Sequence, residues 1–167
     1  MASGKPVVRQ VAWISMIPQL AVIIILIVVC SMLIKPYELA SCIAMVIYLS
    51  ASLLLRNLIP HNHRSGMRLV RSGNYEQAIS EYEKSYAFFS EHEWIDKYRF
   101  ITLLSSGRMT YKEMALVNIA YCYTQIGDGR RAKEYYEKTL QQFPDSEMAK
   151  SALRMLNSVS NAENSAE

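Results

Sequence analysis

Residues 111–144 have the sequence YKEMALVNIAYCYTQIGDGRRAKEYYEKTLQQFP, and this stretch decides the fold of the polar two thirds of the chain. Its second half carries an apolar stripe at helical spacing, formed by Ala132, Tyr135, Tyr136, Thr139, Leu140 and Phe143. The turn Gly127-Asp128-Gly129 precedes this stripe and follows another short amphipathic segment. These features predict two helices joined by a tight glycine turn.

A second helical pair is predicted upstream of this stretch. The turn Ser72-Gly73-Asn74 precedes a matching stripe that contains Ala78, Ile79, Tyr82, Tyr86 and Phe89. Between the two pairs, residues 92–110 form an insert with apolar side chains at helical spacing, from which we expect one extra helix and a lengthened preceding helix. A last amphipathic helix over 146–159 should cap the domain, and 160–167 should be disordered. Since no β-alternation occurs, the predicted fold class is all-α.

At these residues the sequence resembles the tetratricopeptide repeat, a helix–turn–helix motif of about 34 residues. The resemblance implies a helical domain over 60–159, with one repeat at about 60–91 and another at 111–144. Small residues at the motif positions let paired helices approach closely, and tyrosines fill the space beside them. The motif residues are Gly66, Gly73, Ala78 and Tyr82 in the first repeat, and Ala120, Tyr123, Gly127, Ala132, Tyr136 and Pro144 in the second.

The first third of the chain is strongly apolar. No charge occurs in the 25 residues from Gln10 to Ile34, nor in the 17 from Leu39 to Leu55. We therefore expect a transmembrane hairpin, with helices at 11–34 and 39–59 joined by an external turn at 35–38. The second span is long enough only if the side chain of Arg56 extends outward to the membrane surface. This distribution argues against a fully soluble protein and against a large multidomain enzyme.

Basic residues flank the two spans, and they predict the orientation. Beyond residue 71 the balance reverses, with 11 basic and 14 acidic side chains. The positive-inside rule then places both termini in the cytoplasm, including the short segment 1–10. We expect a multi-pass integral protein of a bacterial-type inner membrane or plasma membrane that contacts the lipid bilayer and binds no nucleic acid. The flanking basic residues are Lys5, Arg9, Arg56, Arg64, Arg68 and Arg71.

No motif in the sequence predicts catalysis, a cofactor or a metal. His61 and His63 are too few for a metal site without nearby cysteines or carboxylates. His92-Glu93 begins like a zinc-protease helix, but Asp96 stands where that motif requires its second histidine. The three cysteines suggest neither a disulfide framework nor a metal site. We therefore expect a protein that is not an enzyme, with no catalytic residue, cofactor or metal.

Tetratricopeptide proteins are, as a family, scaffolds that hold a peptide or helix of a partner in a groove lined by the first helix of each repeat. Carried over by position, this implies a protein partner and a groove in two halves. Among the tyrosines, Tyr111, Tyr121 and Tyr135 are the least committed to the core and are candidates for an interface. The groove candidates are His63, Arg64, Met67 and Arg71 in the first repeat, and Val117, Asn118, Tyr121 and Gln125 in the second.

The sequence therefore predicts a membrane-anchored scaffold that recruits or assembles a protein partner on the cytoplasmic side. An alternative from another class is an accessory or regulatory subunit of a membrane transporter or membrane enzyme complex, contacting it through the hairpin. Oligomerisation through the hairpin is a further option. The sequence does not discriminate between a decisive contact in the hairpin and one in the repeats.

Overall fold

The computed structural model describes residues 16–103 and 109–164, and every regular element within these ranges is an α-helix. The predicted all-α class is thereby confirmed for this part of the chain. The predicted N-terminal segment 1–10 and the first residues of the first span lie outside the described residues. The helices are α1 (Met16–Leu33), α2 (Tyr37–Leu58), α3 (His61–Arg71), α4 (Tyr75–Glu91), α5 (Glu93–Lys97), α6 (Arg99–Thr102), α7 (Tyr111–Gln125), α8 (Gly129–Gln142) and α9 (Glu147–Asn164).

The chain divides into two compact units. The apolar unit contains α1 and α2, together with the described residues of Lys97–Met109. The repeat unit consists of Pro60–Asp96 and the described residues from Thr110 onward.

In the apolar unit, α1 and α2 pack against each other around a small core. Cys30 of α1 meets Ala40 and Ala44 of α2, and Leu26, Ile27 and Ile34 pack around them. Small side chains at such a contact let two helix backbones approach closely. The predicted pair of apolar helices is therefore present, and α2 begins at Tyr37, two residues before the predicted start of the second span.

Within the described residues, the two apolar helices differ in length. Among the described residues, only Tyr37–Leu58 is both long and apolar enough to cross a membrane, as judged by length and composition alone. Ile17–Leu33 is a shorter apolar helix. At about 1.5 Å per residue, the 22 residues of α2 extend over about 33 Å, close to the thickness of a bilayer core. The crossing by α1 remains a prediction.

The predicted single helix in the insert is wrong. The chain turns at His92 and again at Tyr98, so that the described part of the insert contains two short helices, α5 and α6. The insert is also shared between the units, since Asp96 belongs to the repeat unit and Lys97 to the apolar unit. Within the apolar unit, Nε of Arg56 donates a hydrogen bond to the carbonyl oxygen of Leu103, 3.4 Å away.

The repeat unit contains the two predicted helix–turn–helix pairs. Helix α3 packs on α4, and α7 packs on α8. The two pairs join through α4 and α7, and α9 packs on α8. Helix α4 has 17 residues against the 14 of α8, which confirms the expected lengthening of the first repeat's second helix. The largest fully buried side chains here include Tyr82, Phe89, Leu116 and Ile119.

The capping helix is longer than predicted. Helix α9 runs to Asn164 instead of ending at residue 159, so the prediction of disorder is wrong for 160–164. Residues 165–167 lie outside the described residues. The physical reason is that no glycine or proline, the residues that end helices most strongly, follows Pro144, so the helix continues past residue 159.

Candidate partner-binding face

The first helices of the two repeats, α3 and α7, end in turns of the same geometry. Gly73 and Gly127 have φ angles of 80° and 82°, a conformation that other residues adopt only with strain. The N–H of Gly73 donates to the carbonyl of Val70 at 3.2 Å, and that of Asn74 donates to Leu69 at 2.9 Å. The equivalent bonds after α7 measure 3.3 and 2.9 Å. This Schellman geometry places α3 and α7 in register at an offset of 54 residues, the separation of Gly73 and Gly127.

Within each repeat, small residues bring the paired helices close together. An added Cβ at Gly66 would lie 2.8 Å from Cε1 of Tyr82, so the tyrosine ring occupies the space of a side chain at Gly66. Ala78, Ala120 and Ala132 are fully buried. Gly66 and these three alanines therefore lie where the paired helices pack most closely. Tyr123 and Tyr136 are buried as predicted, whereas Pro144 is exposed in the turn before α9.

Two of the eight groove candidates are buried and present no side chain to a partner. His63 is 3% exposed, and its ring meets the edges of Tyr82 and Tyr111 at centroid distances of 5.2 and 5.3 Å. Burial lowers the pKa of His63 to about 4, so the ring is neutral at pH 7. Val117, the equivalent residue of α7, is 4% exposed. The prediction that these two side chains line a groove is wrong, because Tyr111 of the neighbouring helix covers His63 and Val117 packs inward.

The other six candidates lie at the surface of α3 and α7. Arg64, Met67 and Arg71 are exposed on α3. On α7, Tyr121 and Gln125 are exposed and Asn118 is half-buried. Their spacing of three to four residues places the members of each helix on one side of that helix. We call these six residues the groove face.

A comparison with protein families identifies the second repeat. Residues 114–146 match the tetratricopeptide repeat model. The match covers α7 from Met114 onward, α8 and the turn before α9, and it indicates a scaffold for protein–protein interaction. Comparisons of the chain with curated proteins and with solved structures find no match.

Helix α3, which corresponds to α7 in the upstream pair, carries a stripe of positive charge. Arg64, Arg68 and Arg71 are all exposed on α3, which contains no acidic residue. The equivalent positions of the matched tetratricopeptide repeat, Asn118, Cys122 and Gln125, are uncharged. Arg68 was not among the groove candidates, although its spacing of four from Arg64 and three from Arg71 is visible in the sequence. It adds a cationic side chain beside the groove face.

Of the three tyrosines proposed for an interface, two have structural roles. The ring of Tyr111 stacks on Phe89 with centroids 4.8 Å apart. The hydroxyl of Tyr135 donates to Oε1 of Glu83 at 3.3 Å, and burial, assisted by the Glu83 charge, raises the pKa of Tyr135 to about 12. Tyr121 is 39% exposed and meets Tyr75 edge-on at 6.5 Å. Tyr121 therefore remains the aromatic candidate for partner binding.

A buried carboxylate binds the first residues of α7. Asp96 is 4% exposed, and its two oxygens accept hydrogen bonds from the backbone N–H groups of Tyr111 and Lys112, both at 2.9 Å. Nζ of Lys112 also lies 2.8 Å from Oε1 of Glu93, whose pKa is lowered by this hydrogen bond. These interactions connect α5 to the start of α7. Sequence reasoning missed this role of Asp96, since only its unsuitability as a zinc ligand was considered.

Within residues 16–103 and 109–164, no group of three or more His, Cys, Asp or Glu side chains is placed to hold a metal ion. All three cysteines are free thiols, and burial raises the pKa of Cys122 to about 11. A thiol with so high a pKa is a poor nucleophile at neutral pH. The absence of an enzymatic activity and of a cofactor stays a prediction.

Proposed function

We propose that the protein is a membrane-anchored scaffold that binds a protein partner on the groove face and holds it at the cytoplasmic surface of the membrane. The match of 114–146 to the tetratricopeptide repeat supports the scaffold part of this proposal.

The observation that carries the proposal is the contrast in packing on α3 and α7. Their inward side chains are buried, whereas the groove face leaves Met67 and Tyr121 40% and 39% exposed beside polar side chains. Tyrosine, methionine and arginine are enriched at protein interfaces, because they combine apolar area with hydrogen bonding. Binding there would cover apolar surface that the repeats themselves leave open.

The surface of the apolar unit supports anchoring in a membrane. Large apolar side chains are exposed along both α1 and α2, among them Ile24, Ile25, Val46 and Leu53. Soluble proteins rarely leave contiguous apolar surface of this kind in water, whereas a lipid phase covers it. Anchoring would raise the concentration of the scaffold near membrane partners.

Partner binding is tested by affinity purification of the full chain from its native membrane in mild detergent. The test variant combines Asn118→Ala with Tyr121→Ala, and the matched control combines Lys133→Ala with Glu137→Ala, which are exposed on α8. We expect the test variant to lose the co-purified protein while it keeps its helical circular dichroism and its membrane fraction. The control variant should retain the partner.

Unchanged co-purification with the test variant would contradict binding through the groove face. It would favour the alternative, an accessory subunit that contacts a transporter or membrane enzyme through its hairpin. The orientation has a separate readout in sealed right-side-out vesicles. Added protease should spare the segment after Arg64, and digestion of that segment would overturn the cytoplasmic placement.

A further inference from the structure

The insert between the two repeats changes both its structural unit and its charge after Asp96. Asp96 belongs to the repeat unit, whereas Lys97–Met109 belongs to the apolar unit. By sequence, residues 97–109 contain three basic residues and no acidic one. The same bias holds for the whole apolar unit, whose sequence includes a single acidic residue, Glu38. Its seven basic residues are Lys5, Arg9, Lys35, Arg56, Lys97, Arg99 and Arg108.

The described part of this segment, Lys97–Leu103, packs against the hairpin of α1 and α2. Helix α6, which lies within the segment, contacts α1. Leu103 directly follows α6 and is fully buried, and its carbonyl oxygen accepts the hydrogen bond from Nε of Arg56. Arg56 is the third residue from the end of α2. The contact therefore lies at the end of the hairpin that is opposite the turn between α1 and α2.

The repeats do not explain why the segment packs on the hairpin. Helix α4 packs directly on α7, so the two repeats join without residues 97–103. Within the insert, the side chain that binds the first residues of α7 is Asp96, which precedes the segment. The role of Lys97–Leu103 is therefore to be found within the apolar unit.

The surface at this end of the hairpin combines apolar and basic side chains. Ile17 in the first turn of α1 and Leu58 at the end of α2 are 66% and 69% exposed. On the segment, Lys97 is exposed, Tyr98 is 47% exposed, and Nζ of Lys97 lies 5.7 Å from the centroid of the Tyr98 ring. Tyrosine is enriched at the level of lipid headgroups, because its ring is apolar and its hydroxyl is polar. Lysine at that level is attracted to anionic headgroups.

We propose that Lys97–Leu103 is a third membrane contact of the chain, a segment that lies in the headgroup layer of an anionic lipid surface. In this arrangement Tyr98 lies at the boundary between headgroups and acyl chains, and Lys97 binds lipid phosphates. The buried Leu103 holds the segment on the hairpin. This inference rests on the proposed anchoring of the hairpin in a membrane, and it adds a lipid-binding element outside the two apolar helices.

Two observations favour lipid over a protein as the partner of this segment. The exposed side chains of Ile17 and Leu58 continue into the apolar surface that anchoring covers with lipid, so the segment lies at the border of that surface. Basic residues of the unit gather at this end of the hairpin, whereas its acidic residue, Glu38, lies at the start of α2. Such a distribution suits a surface of uniform negative charge, as anionic headgroups form.

The experiment uses photo-crosslinking of the purified full chain in vesicles of phosphatidylcholine with about 30% phosphatidylglycerol. A benzophenone amino acid replaces Tyr98 in one sample and Leu54 in another, and mass spectrometry identifies the adducts. Leu54 is exposed on α2, so its adducts report on the anchoring of the hairpin. We expect lipid adducts at both positions. If the Tyr98 variant loses its helical circular dichroism, benzophenone at Lys97 replaces it as the probe of the segment.

The charge of the lipid supplies the second arm. The yield of lipid adducts at Tyr98 should be at least about twofold higher in the anionic vesicles than in phosphatidylcholine alone, because Lys97 is attracted to negative headgroups. Lys97→Glu should remove this difference. The matched control, Lys133→Glu, reverses an exposed lysine on α8 and should retain it. Circular dichroism of each variant checks that the helices are retained.

The contrary outcomes are distinct. Lipid adducts at Leu54 without any at the segment would overturn the third contact and leave the anchoring of the hairpin intact. Adducts of Tyr98 with another copy of the chain in place of lipid would overturn it in favour of a contact between copies. Equal yields in the two kinds of vesicle would overturn the binding of anionic headgroups. The absence of lipid adducts at both positions would contradict the proposed anchoring itself.

Discussion

Helices α3 and α7 occupy the same position in two successive repeats, yet they pack against different numbers of neighbouring helices. Helix α7 packs against both α4 and α8, whereas α3 packs mainly against α4 within the repeat unit. Leu116 and Ile119 of α7 are accordingly buried, and their equivalents on α3 are Asn62 and Ser65, which are polar and half-buried. A helix at the end of a repeat array needs a polar outer face, and a helix inside it needs an apolar one.

This difference shows that the repeat motif determines the backbone conformation of the helix and its turn. The side chains on the exposed side of the helix can differ between repeats and can serve another role. The exposed side of α3 holds Arg64, Arg68 and Arg71, whereas on α7 the position equivalent to Arg68 is the buried Cys122. The first helix of the array therefore exposes surface that a partner can contact. The equivalent surface of an interior helix is buried against its neighbours.

The largest expected difference between the two helices is the cost of truncating the side chain at the equivalent positions Leu116 and Asn62. Leu116→Ala should lower the free energy of unfolding by about 2 to 5 kcal/mol, because Leu116 is fully buried and a cavity would remain. Asn62→Ala, the equivalent change on α3, should cost less than about 0.5 kcal/mol. Urea unfolding of the full chain in detergent, followed by circular dichroism, measures both. Equal losses would show that α3 is packed as tightly as α7.

The second difference depends on pH and concerns His63 and its equivalent Val117. The pKa of His63 is lowered from 6.5 to about 4 in the folded state, so the unfolded chain binds more protons between these values. Stability contributed by the neutral ring is present above pH 6.5 and is lost as the pH falls towards 4. The loss should be about 1.4 kcal/mol per pH unit, roughly 3 kcal/mol in total.

His63→Val, which copies α7 into α3, provides the control for this pH dependence. The variant should be less stable than the wild type at pH 7.5, and the difference between the two should shrink as the pH falls to 4.5. Taking the difference removes the contribution of the carboxylates, which titrate in both proteins. Parallel pH profiles would mean that His63 is not buried as a neutral ring.

Most of the helical architecture could be predicted from the sequence, because its signals are local. The glycine turns at Gly73 and Gly127 and the apolar stripes beside them are readable within a few residues, and they gave the four repeat helices. The end of α9 was misjudged for a local reason too. The absence of large apolar side chains from 160–164 predicts disorder, but the stretch also contains no glycine or proline to end the helix.

The features that were missed depend on contacts between distant parts of the chain. Asp96 binds backbone groups 15 and 16 residues away, and no spacing rule signals such a pairing. His63 is covered by Tyr111 from another helix, whereas the family pattern assigns its position to the groove. Helical periodicity identifies the side of a helix, but the neighbouring helix decides how much of that side is buried.

The smallest expected effect concerns the close approach at Gly66, whose equivalent on α7 is Ala120. Alanine is the better helix former by about 1 kcal/mol, so propensity alone predicts that Gly66→Ala stabilises α3. The new Cβ would however lie 2.8 to 3.0 Å from three ring atoms of Tyr82, and that residue is 1% exposed. Overpacking of this kind costs roughly 1 to 3 kcal/mol, so we expect a net loss of about 1 kcal/mol.

A double-mutant cycle separates the clash at Gly66 from the helix propensity. In the Tyr82→Leu background the ring is absent, so Gly66→Ala should become neutral or stabilising by up to about 1 kcal/mol. Tyr82→Phe should give no such relief, because the close atoms are Cε1, Cζ and Cδ1 and not the hydroxyl oxygen. If Gly66→Ala stabilised the wild-type chain in urea unfolding, the α3–α4 contact would be looser than the ring position implies. The two repeats would then differ at this position in sequence but not in packing.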